Sequence, residues 1–425
     1  MDVKGKAERK AIRAWAMYDW ANSAFATTVM AGFFPVMFKQ YWSAGVAVTE
    51  SSLRLGMANS LASLLVALFA PVIGAVADQM GARKRFLLVL AALGVVATGA
   101  LCLVAAGQWQ IAAVVYVIAI VGFSGSIGFY DALLPGIVGR GELDRVSALG
   151  FALGYLGGAL LFAVNVSMVL HPEWFGLEGQ VEAMRLSFLM VALWWAVFTL
   201  PLAVWVREPA PSCADRGWHG VVAGLKQFVR TFRELRRLRV VGTFLVAYWL
   251  YMDGVGTIMR MAIDYGLSLG FGPEGLLTAL LVTQAVGFPA ALAFGRLGEH
   301  WGPKAGIYIG LAVYTGVCLW AYDMRTEREF YGLAIAVGLV QGGVQALSRS
   351  LYARIIPLDK SAEFFGFYNL LGRFAVIFGP LLMGWAGAVT GSSRLSILTV
   401  VVLFAAGAWV LSRVDVGEGM QKQVQ

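Results

Sequence analysis

The chain is long, strongly apolar and sparsely charged. It has 425 residues, of which 59% are hydrophobic and 14% are charged, and its formal net charge is +8 at pH 7. Soluble domains carry about 25% charged residues, and so few charges could not cover the surface of a soluble protein this apolar. The composition therefore excludes an ordinary soluble protein and indicates an integral membrane protein.

Long apolar runs predict twelve membrane helices, because a helix needs about 20 mostly apolar residues to cross a bilayer. Six runs precede a long connection at 207–239, and six follow it. In chain order, the runs cover residues 12–38, 55–77, 86–107, 110–138, 146–170, 185–206, 240–265, 275–297, 304–322, 329–356, 363–388 and 394–413. We therefore expect an all-α membrane protein with two six-helix bundles.

The long connection divides the chain into three predicted parts. These are an N-terminal six-helix bundle over 1–206, a cytoplasmic basic linker over 207–239, and a C-terminal six-helix bundle with a short tail over 240–425. The linker ends in a basic stretch from Lys226 to Arg239, which predicts an amphipathic helix on the membrane surface. A site for a regulatory partner is the alternative interpretation of this linker.

The distribution of basic residues predicts the orientation in the membrane. Most of the 33 Lys and Arg residues lie in the two tails and in the even-numbered connections. Because basic loops stay in the cytoplasm, we expect both termini to be cytoplasmic, in a bacterial cytoplasmic membrane. The basic residues are spread over several loops without interleaved aromatics, which argues against a nucleic-acid partner.

A glycine–acid–glycine–base pattern occurs once in each half, where it joins the second apolar run of that half to the third. The first copy comprises Gly74, Asp78, Gly81 and Arg83, and the second comprises Gly295, Glu299, Gly302 and Lys304. Two further landmarks recur in the same order: Tyr130–Pro135 with Tyr352–Pro357, and Asp19 with Asp253. Internal repeats of this kind mark transporters built from two similar halves, so we expect the bundles to be pseudo-symmetric.

An arrangement of six plus six helices, with this loop motif inside each half, resembles the major facilitator superfamily. The first copy keeps that superfamily's loop signature, whereas in the second Glu299 replaces the aspartate and Pro303 precedes a lone Lys304. The resemblance implies the twelve-helix transporter fold, with helices 1, 4, 7 and 10 lining a central cavity. It also implies that the loop is a conformational latch in which Asp78 and Arg83 act.

Four motifs resemble one branch of that superfamily more specifically, the vacuole effluxers related to the autophagy-linked vacuolar amino-acid exporter. They are Tyr18–Phe25, Tyr130–Pro135, Gln341–Ser350 and Glu363–Tyr368. The motifs span residues 18–368, so the resemblance covers most of the chain. It implies that the carried solute is an amino acid and that the direction is export.

Polar side chains recur within the runs that the resemblance assigns to the cavity. Ionisable groups inside a membrane are costly and usually face a water-filled cavity or a partner. The candidates for substrate or proton coupling are Asp19 and Asn22 in run 1, Asp131 in run 4, Asp253 and Arg260 in run 7, Gln341, Gln345 and Arg349 in run 10, and Arg373 in run 11. Together they predict a solvated cavity that holds both signs of charge.

The residue types suggest separate roles. Arg349 is always charged and can bind a carboxylate through two hydrogen bonds, while Asp253 or Asp19 can hold an amine or a coupling proton. Both signs in one cavity suit a zwitterion. A structural salt bridge remains the alternative for Asp19, and a structural or gating role remains the alternative for Asp131.

The sequence lacks the patterns of an enzyme or a metalloprotein. Its three cysteines and three histidines have no metal-ligand spacing, and no nucleophile–base set or phosphate-binding loop is present. We therefore expect no cofactor and a monomer that works with a small-molecule solute, the lipid bilayer and protons as a coupling ion. The competing hypothesis is a translocator of lipids or amphiphilic compounds, which would need an apolar cavity.

Overall fold

A computed structural model of the protein describes residues 3–46, 48–208, 226, 239–269, 271, 273–374, 378–390 and 392–417. These residues are mostly helical, and no β-strand occurs among them. The greater part of the predicted linker lies outside these ranges, and so does the surface helix predicted within it. The expected all-α class is confirmed.

The helices follow the predicted runs closely. The first, α1, begins as Val3–Ala24 and continues through Phe25–Phe33, Phe34–Met37 and Phe38–Trp42. The others are α2 Val48–Met80, α3 Arg83–Ala100, α4 Trp109–Ile137, α5 Leu143–Leu170, α6 Gln180–Trp205, α7 Arg239–Ser268, α8 Pro273–Trp301, α9 Pro303–Asp323, α10 Glu327–Ile355, α11 Ser361–Phe374, α12 Phe378–Thr390 and α13 Ser393–Ser412. Among the described residues, eleven helices are long and apolar enough to cross a membrane.

The first helix differs from its predicted run. It is longer than 12–38 because its polar start is also helical, and Phe25–Phe33 has the wider π-helical geometry. Within the eleventh run, 363–388, the described residues belong to α11 and α12, and residues 375–377 between them lie outside the described ranges.

Contacts between residues divide the chain into two compact units. Unit one comprises the described residues of 1–137 and 153–224, and unit two those of 138–152 and 225–425. The division falls inside α5, so the first turns of that helix belong to unit two. Those turns carry several of the contacts described below.

In unit one, glycines allow α5 to lie directly against α1. A side chain at Gly154 would collide with the Ser23 hydroxyl, and one at Gly157 would collide with the ring and backbone of Trp20. Small residues at helix crossings in membranes allow this close approach. Gly154 and Gly157 therefore serve helix packing.

In unit two, α8 and α10 make a similarly close pair. A side chain at Gly338 would approach the Thr283 carbonyl oxygen, and one at Gly343 would overlap the Phe294 ring. Tyr251 of α7 and Ser348 of α10 share a hydrogen bond of 2.7 Å between their hydroxyl oxygens. This bond fixes the relative height of α7 and α10.

Candidate functional site: loop motifs and buried charges

The first copy of the loop motif is a closed network within unit one. Arg83 Nε donates to Asp78 Oδ1 at 2.5 Å, so the acid and base of the motif form an ion pair. Gly81 has φ +57°, a left-handed conformation that favours glycine and turns the chain from α2 into α3. The motif therefore joins two consecutive helices through both a turn and a charge pair.

The side chains of Glu208 and Lys84, which are not among the four motif residues, extend this network to α6. Glu208 accepts hydrogen bonds from the backbone nitrogens of Arg83 at 2.8 Å and Lys84 at 3.0 Å, which satisfies two free donors at the start of α3. Lys84 Nζ donates to the carbonyl oxygen of Val206 at 2.7 Å, just after the end of α6. The loop thus holds α2, α3 and α6 together.

The second copy ties the last helix of unit two in the same way. Gly302, with φ +80°, precedes α9, and Lys304 Nζ donates to the carbonyl oxygens of Ser412 at 3.1 Å and Val414 at 2.9 Å. Lys304 is the second residue of its helix, as Lys84 is of α3. By contact, Lys304 corresponds to Lys84, although the spacing of the motif aligns it with Arg83.

Glu299, the acid of the second copy, faces a residue outside its own loop. Its Oε1 lies 3.8 Å from Nε of Arg145, which is in the first turn of α5. A side chain at Gly295 would lie 2.5 Å from the Cβ of Ala148, and one at Gly298 would lie 3.0 Å from the Cβ of Asp144. The second copy therefore forms the surface on which the start of α5 packs.

The polar residues of α1 lie among packed helices of unit one. Asp19 accepts a hydrogen bond of 2.9 Å from the hydroxyl of Tyr130, whose ring stacks on Trp15. Asn22 is buried, and its Nδ2 has no hydrogen-bond partner among the described residues. Asp131, the next residue of α4, is also buried. Of these candidates, Asp19 lies at the contact between α1 and α4.

Asp253 is buried on α7 and bonds to α12. Only 2% of the residue is exposed, and both carboxylate oxygens accept from the backbone nitrogen of Gly379, at 3.1 and 3.0 Å. A side chain at Gly379 would lie 1.8 Å from the Thr257 hydroxyl oxygen, so glycine allows this close approach of α12 to α7.

Arg349 is equally buried, on α10, at 2% exposure. Its Nε donates to the hydroxyl of Ser147 at 2.9 Å and its Nη2 to the carbonyl oxygen of the same residue at 2.7 Å. The guanidinium also lies 4.3 Å from the ring centre of Phe151, a cation–π contact. The Arg349 contacts described here therefore lie in the first turns of α5, whereas those of Asp253 lie on α12.

A second buried charge network, which the sequence analysis did not identify, lies one turn away. Asp144 is 1% exposed, and it accepts from Nη2 of Arg354 at 2.7 Å and from the hydroxyl of Ser350 at 2.5 Å. An acid in the first turn of a helix is common for local reasons, so its position in the sequence did not distinguish it. Its partners are distant in the chain and become apparent only in the fold.

Four other candidates are placed less fully. Gln341 is buried, and its Oε1 has no hydrogen-bond partner among the described residues. Arg260 lies on α7 and Arg373 on α11, but their side chains are outside what the structure describes. Gln345 is half-buried on α10. The nine candidates therefore do not converge on one point in the described residues.

An apolar groove occurs among the described residues, and a metal-ligand cluster does not. The groove, of about 530 Å³, lies on α8 and α10, and its lining residues are Val282, Ala285, Val286, Pro289, Ala290, Ala293 and Leu339. No group of three or more His, Cys, Asp and Glu side chains in the described ranges could hold a metal ion.

Comparison with known proteins identifies the family. The profile of the family described as "Vacuole effluxer Atg22 like" matches residues 43–424. An uncharacterised MFS-type transporter of Bacillus subtilis, YxiO, is 36% identical over 94% of this chain and 93% of its own length. Autophagy-related protein 22 of Gibberella zeae is 27% identical over 65% of this chain, but the match covers 45% of that protein.

Solved structures show the same fold at low sequence identity. The human organic anion transporter MFSD10 has a TM-score of 0.75 and 16% identity, over 95% of this chain and 99% of its own. The transporter FucP in its outward conformation has a TM-score of 0.74 and 13% identity, over 96% of this chain and 99% of its own. The chain is therefore a transporter of the major facilitator superfamily and belongs to its vacuole effluxer Atg22-like family.

Proposed function

We propose that this transporter carries a small zwitterion, such as an amino acid, out of the cytoplasm by alternating access. The observation that carries the proposal is a buried guanidinium, that of Arg349, in the same unit as a buried carboxylate, that of Asp253. A zwitterion offers one group of each sign to such a pair. Opposite charges in a membrane interior are costly, and function is the usual reason for keeping them.

The bond between Tyr251 and Ser348 joins α7 and α10 near both charged residues. Asp253 lies two residues after Tyr251, and Arg349 directly follows Ser348. With a rise of about 1.5 Å per residue, the Cα atom of each charged residue lies within about 3 Å, along its own helix, of the Cα atom of the residue that makes the bond. In this proposal Arg349 binds the carboxylate of the solute.

Protons are the proposed coupling ion, with Asp253 or Asp19 as the carrier. Asp253 is buried and accepts from the backbone N–H of Gly379, and Asp19 accepts from the Tyr130 hydroxyl. A carboxylate in either setting can exchange its hydrogen-bond partner for a proton.

We further propose a monomer in the bacterial cytoplasmic membrane, with both termini cytoplasmic. Export as the direction is supported by the word effluxer in the family's description.

A translocator of lipids or amphiphilic compounds is the second candidate, and the apolar groove on α8 and α10 favours it. All seven lining residues are apolar, which suits a hydrocarbon chain rather than a charged solute. The two candidates predict opposite requirements for Arg349, since an acyl chain offers a guanidinium nothing to bind.

Transport by the purified protein in proteoliposomes tests both candidates. Uptake of the twenty radiolabelled amino acids, with and without a pH gradient, would be compared with flipping of a fluorescent lipid. We expect uptake of at least one amino acid, and Arg349→Ala should reduce it about tenfold or more, since a hydrogen-bonded charge contributes roughly 1.5–3 kcal/mol. Arg328→Ala, an exposed arginine on the same helix, is the matched control. Lipid flipping without amino-acid uptake would contradict the proposal.

A further inference from the structure

The carboxylate-binding edge of Arg349 is already occupied by two oxygens of one residue. Ser147 presents its hydroxyl oxygen to Nε at 2.9 Å and its carbonyl oxygen to Nη2 at 2.7 Å. Nε and Nη2 form the side of the guanidinium fork that binds the two oxygens of a carboxylate in parallel. Ser147 thus makes the pair of hydrogen bonds that a bound carboxylate would make.

The same residue fastens the first turns of α5. The Ser147 hydroxyl donates to the carbonyl oxygen of Ala346 at 2.7 Å, so Ser147 joins α5 to α10 both as donor and as acceptor. One turn earlier, Asp144 binds Ser350 and Arg354 of α10. The start of α5 is therefore bound to one face of α10 at two successive turns.

The loop motif at the end of α8 also packs against the start of α5. Ala148 is buried against Gly295, where a glycine leaves the space for its methyl group. Glu299 of the same motif faces Arg145. Residues 143–152 are thus held by α10 through polar bonds and by α8 through close packing, and the bonds of Ser147 are the part that a solute could replace.

We propose that a carboxylate of the carried solute displaces Ser147 from Arg349, and that this exchange releases the start of α5. The inference rests on the proposed function, and it deepens it: the solute must carry a carboxylate or a similar planar anion with two oxygens. Binding and release are then one event, because the same two N–H groups cannot serve both partners. Ser147 is in this account a positioning residue that competes with the solute.

Chemical labelling of a cysteine at position 148 tests this exchange. Ala148 is 1% exposed, so in a protein lacking the native cysteines, Ala148→Cys should react slowly with a maleimide in detergent. A mixture of the twenty amino acids should accelerate the reaction several-fold, whereas a mixture of the corresponding amides should not. Adding Ser147→Ala should raise the rate without solute by about tenfold, the effect of one charge-assisted hydrogen bond.

The control variant is Arg349→Lys, which keeps the charge but lacks the two-pronged edge, so amino acids should no longer accelerate labelling. Equal rates with and without amino acids in the Ala148→Cys protein, or equal acceleration by the amides, would overturn the inference. Proteoliposome uptake separates the two proposals. Uptake without a change in labelling defeats only the exchange, and a change in labelling without uptake defeats only the proposed function.

Discussion

At the scale of single residues, the buried charged side chains differ in their hydrogen-bond partners. Some bond to neutral side chains or to the backbone, and others form ion pairs. Asp253 is bonded by a backbone nitrogen, and Arg349 by a hydroxyl and a carbonyl oxygen. These partners are dipoles without a net charge. A solute can replace them at Arg349, and a proton can replace them at Asp253. By contrast, Asp144 and Arg354 form a buried ion pair, which is a stronger and more specific constraint.

The first prediction concerns Asp144. Asp144→Ala removes the carboxylate that pairs with the mostly buried Arg354 guanidinium, and breaking a buried pair costs roughly 3–5 kcal/mol. We expect a clearly lower apparent melting temperature of the purified protein in detergent. Glu142→Ala is the matched control, because its pair with Arg145 is about half exposed, and such pairs contribute about 1 kcal/mol or less. Equal losses in the two variants would contradict the assignment.

The second prediction concerns Gly379 and Thr257. Gly379→Ala places a methyl group 1.8 Å from the Thr257 hydroxyl oxygen, so α12 or Thr257 must shift, and we expect the bonds between Asp253 and the Gly379 nitrogen to lengthen. We expect reduced stability and reduced amino-acid uptake. Adding Thr257→Ala removes that oxygen and should restore part of both, which uptake and thermal unfolding of the double variant would measure. No rescue by the second substitution would show that the collision lies elsewhere.

At the scale of helices, the two loop motifs have one structural task in common and one that differs. In both motifs, the lysine at the second position of a helix donates to backbone carbonyl oxygens at the end of another helix. Lys84 donates to Val206 beyond the end of α6, and Lys304 donates to Ser412 and Val414 at the end of α13. The acids differ, since Asp78 pairs with Arg83 inside its loop and Glu299 faces Arg145 of α5. The repeat therefore preserves the anchoring of a helix end and varies the partner of the acid.

The third prediction follows from this shared anchoring. Lys84→Met and Lys304→Met should destabilise the protein by similar amounts, about 1 kcal/mol each, since a cation at a helix C-terminus contributes roughly 0.3–1 kcal/mol and more when partly buried. Arg83→Met should differ, because it removes the Asp78 pair instead. Melting temperatures of the three variants check the correspondence. If Lys304→Met and Arg83→Met lower the melting temperature equally while Lys84→Met has no effect, Lys304 corresponds to Arg83, and the correspondence by contact is contradicted.

The helices themselves were predictable from sequence, while their functional contacts were not. The apolar runs from 55–77 to 329–356 agree with α2 through α10 to within several residues, because membrane helices are selected by local length and hydropathy. The roles of Glu208 and Asp144 depend on partners more than a hundred residues away.

At the scale of the whole molecule, the family and the fold define a transporter, and the buried charges suggest what it carries. Arg349 and Asp253 belong to unit two and flank the same bond between α7 and α10, while unit one contributes Asp19 and Asn22. The halves thus share the loop motif but differ in their membrane charges. This asymmetry is the basis for proposing that unit two recognises both ends of a zwitterion.

The most direct test of this claim is the selectivity of transport in proteoliposomes. The best amino acid found in the screen would be compared with its amide, which lacks the carboxylate, and with the acid that lacks its amine. The account predicts that wild type prefers the amino acid over both, that Arg349→Lys loses the preference over the amide, and that Asp253→Asn loses the preference over the acid. Equal preferences in wild type and in both variants would contradict it.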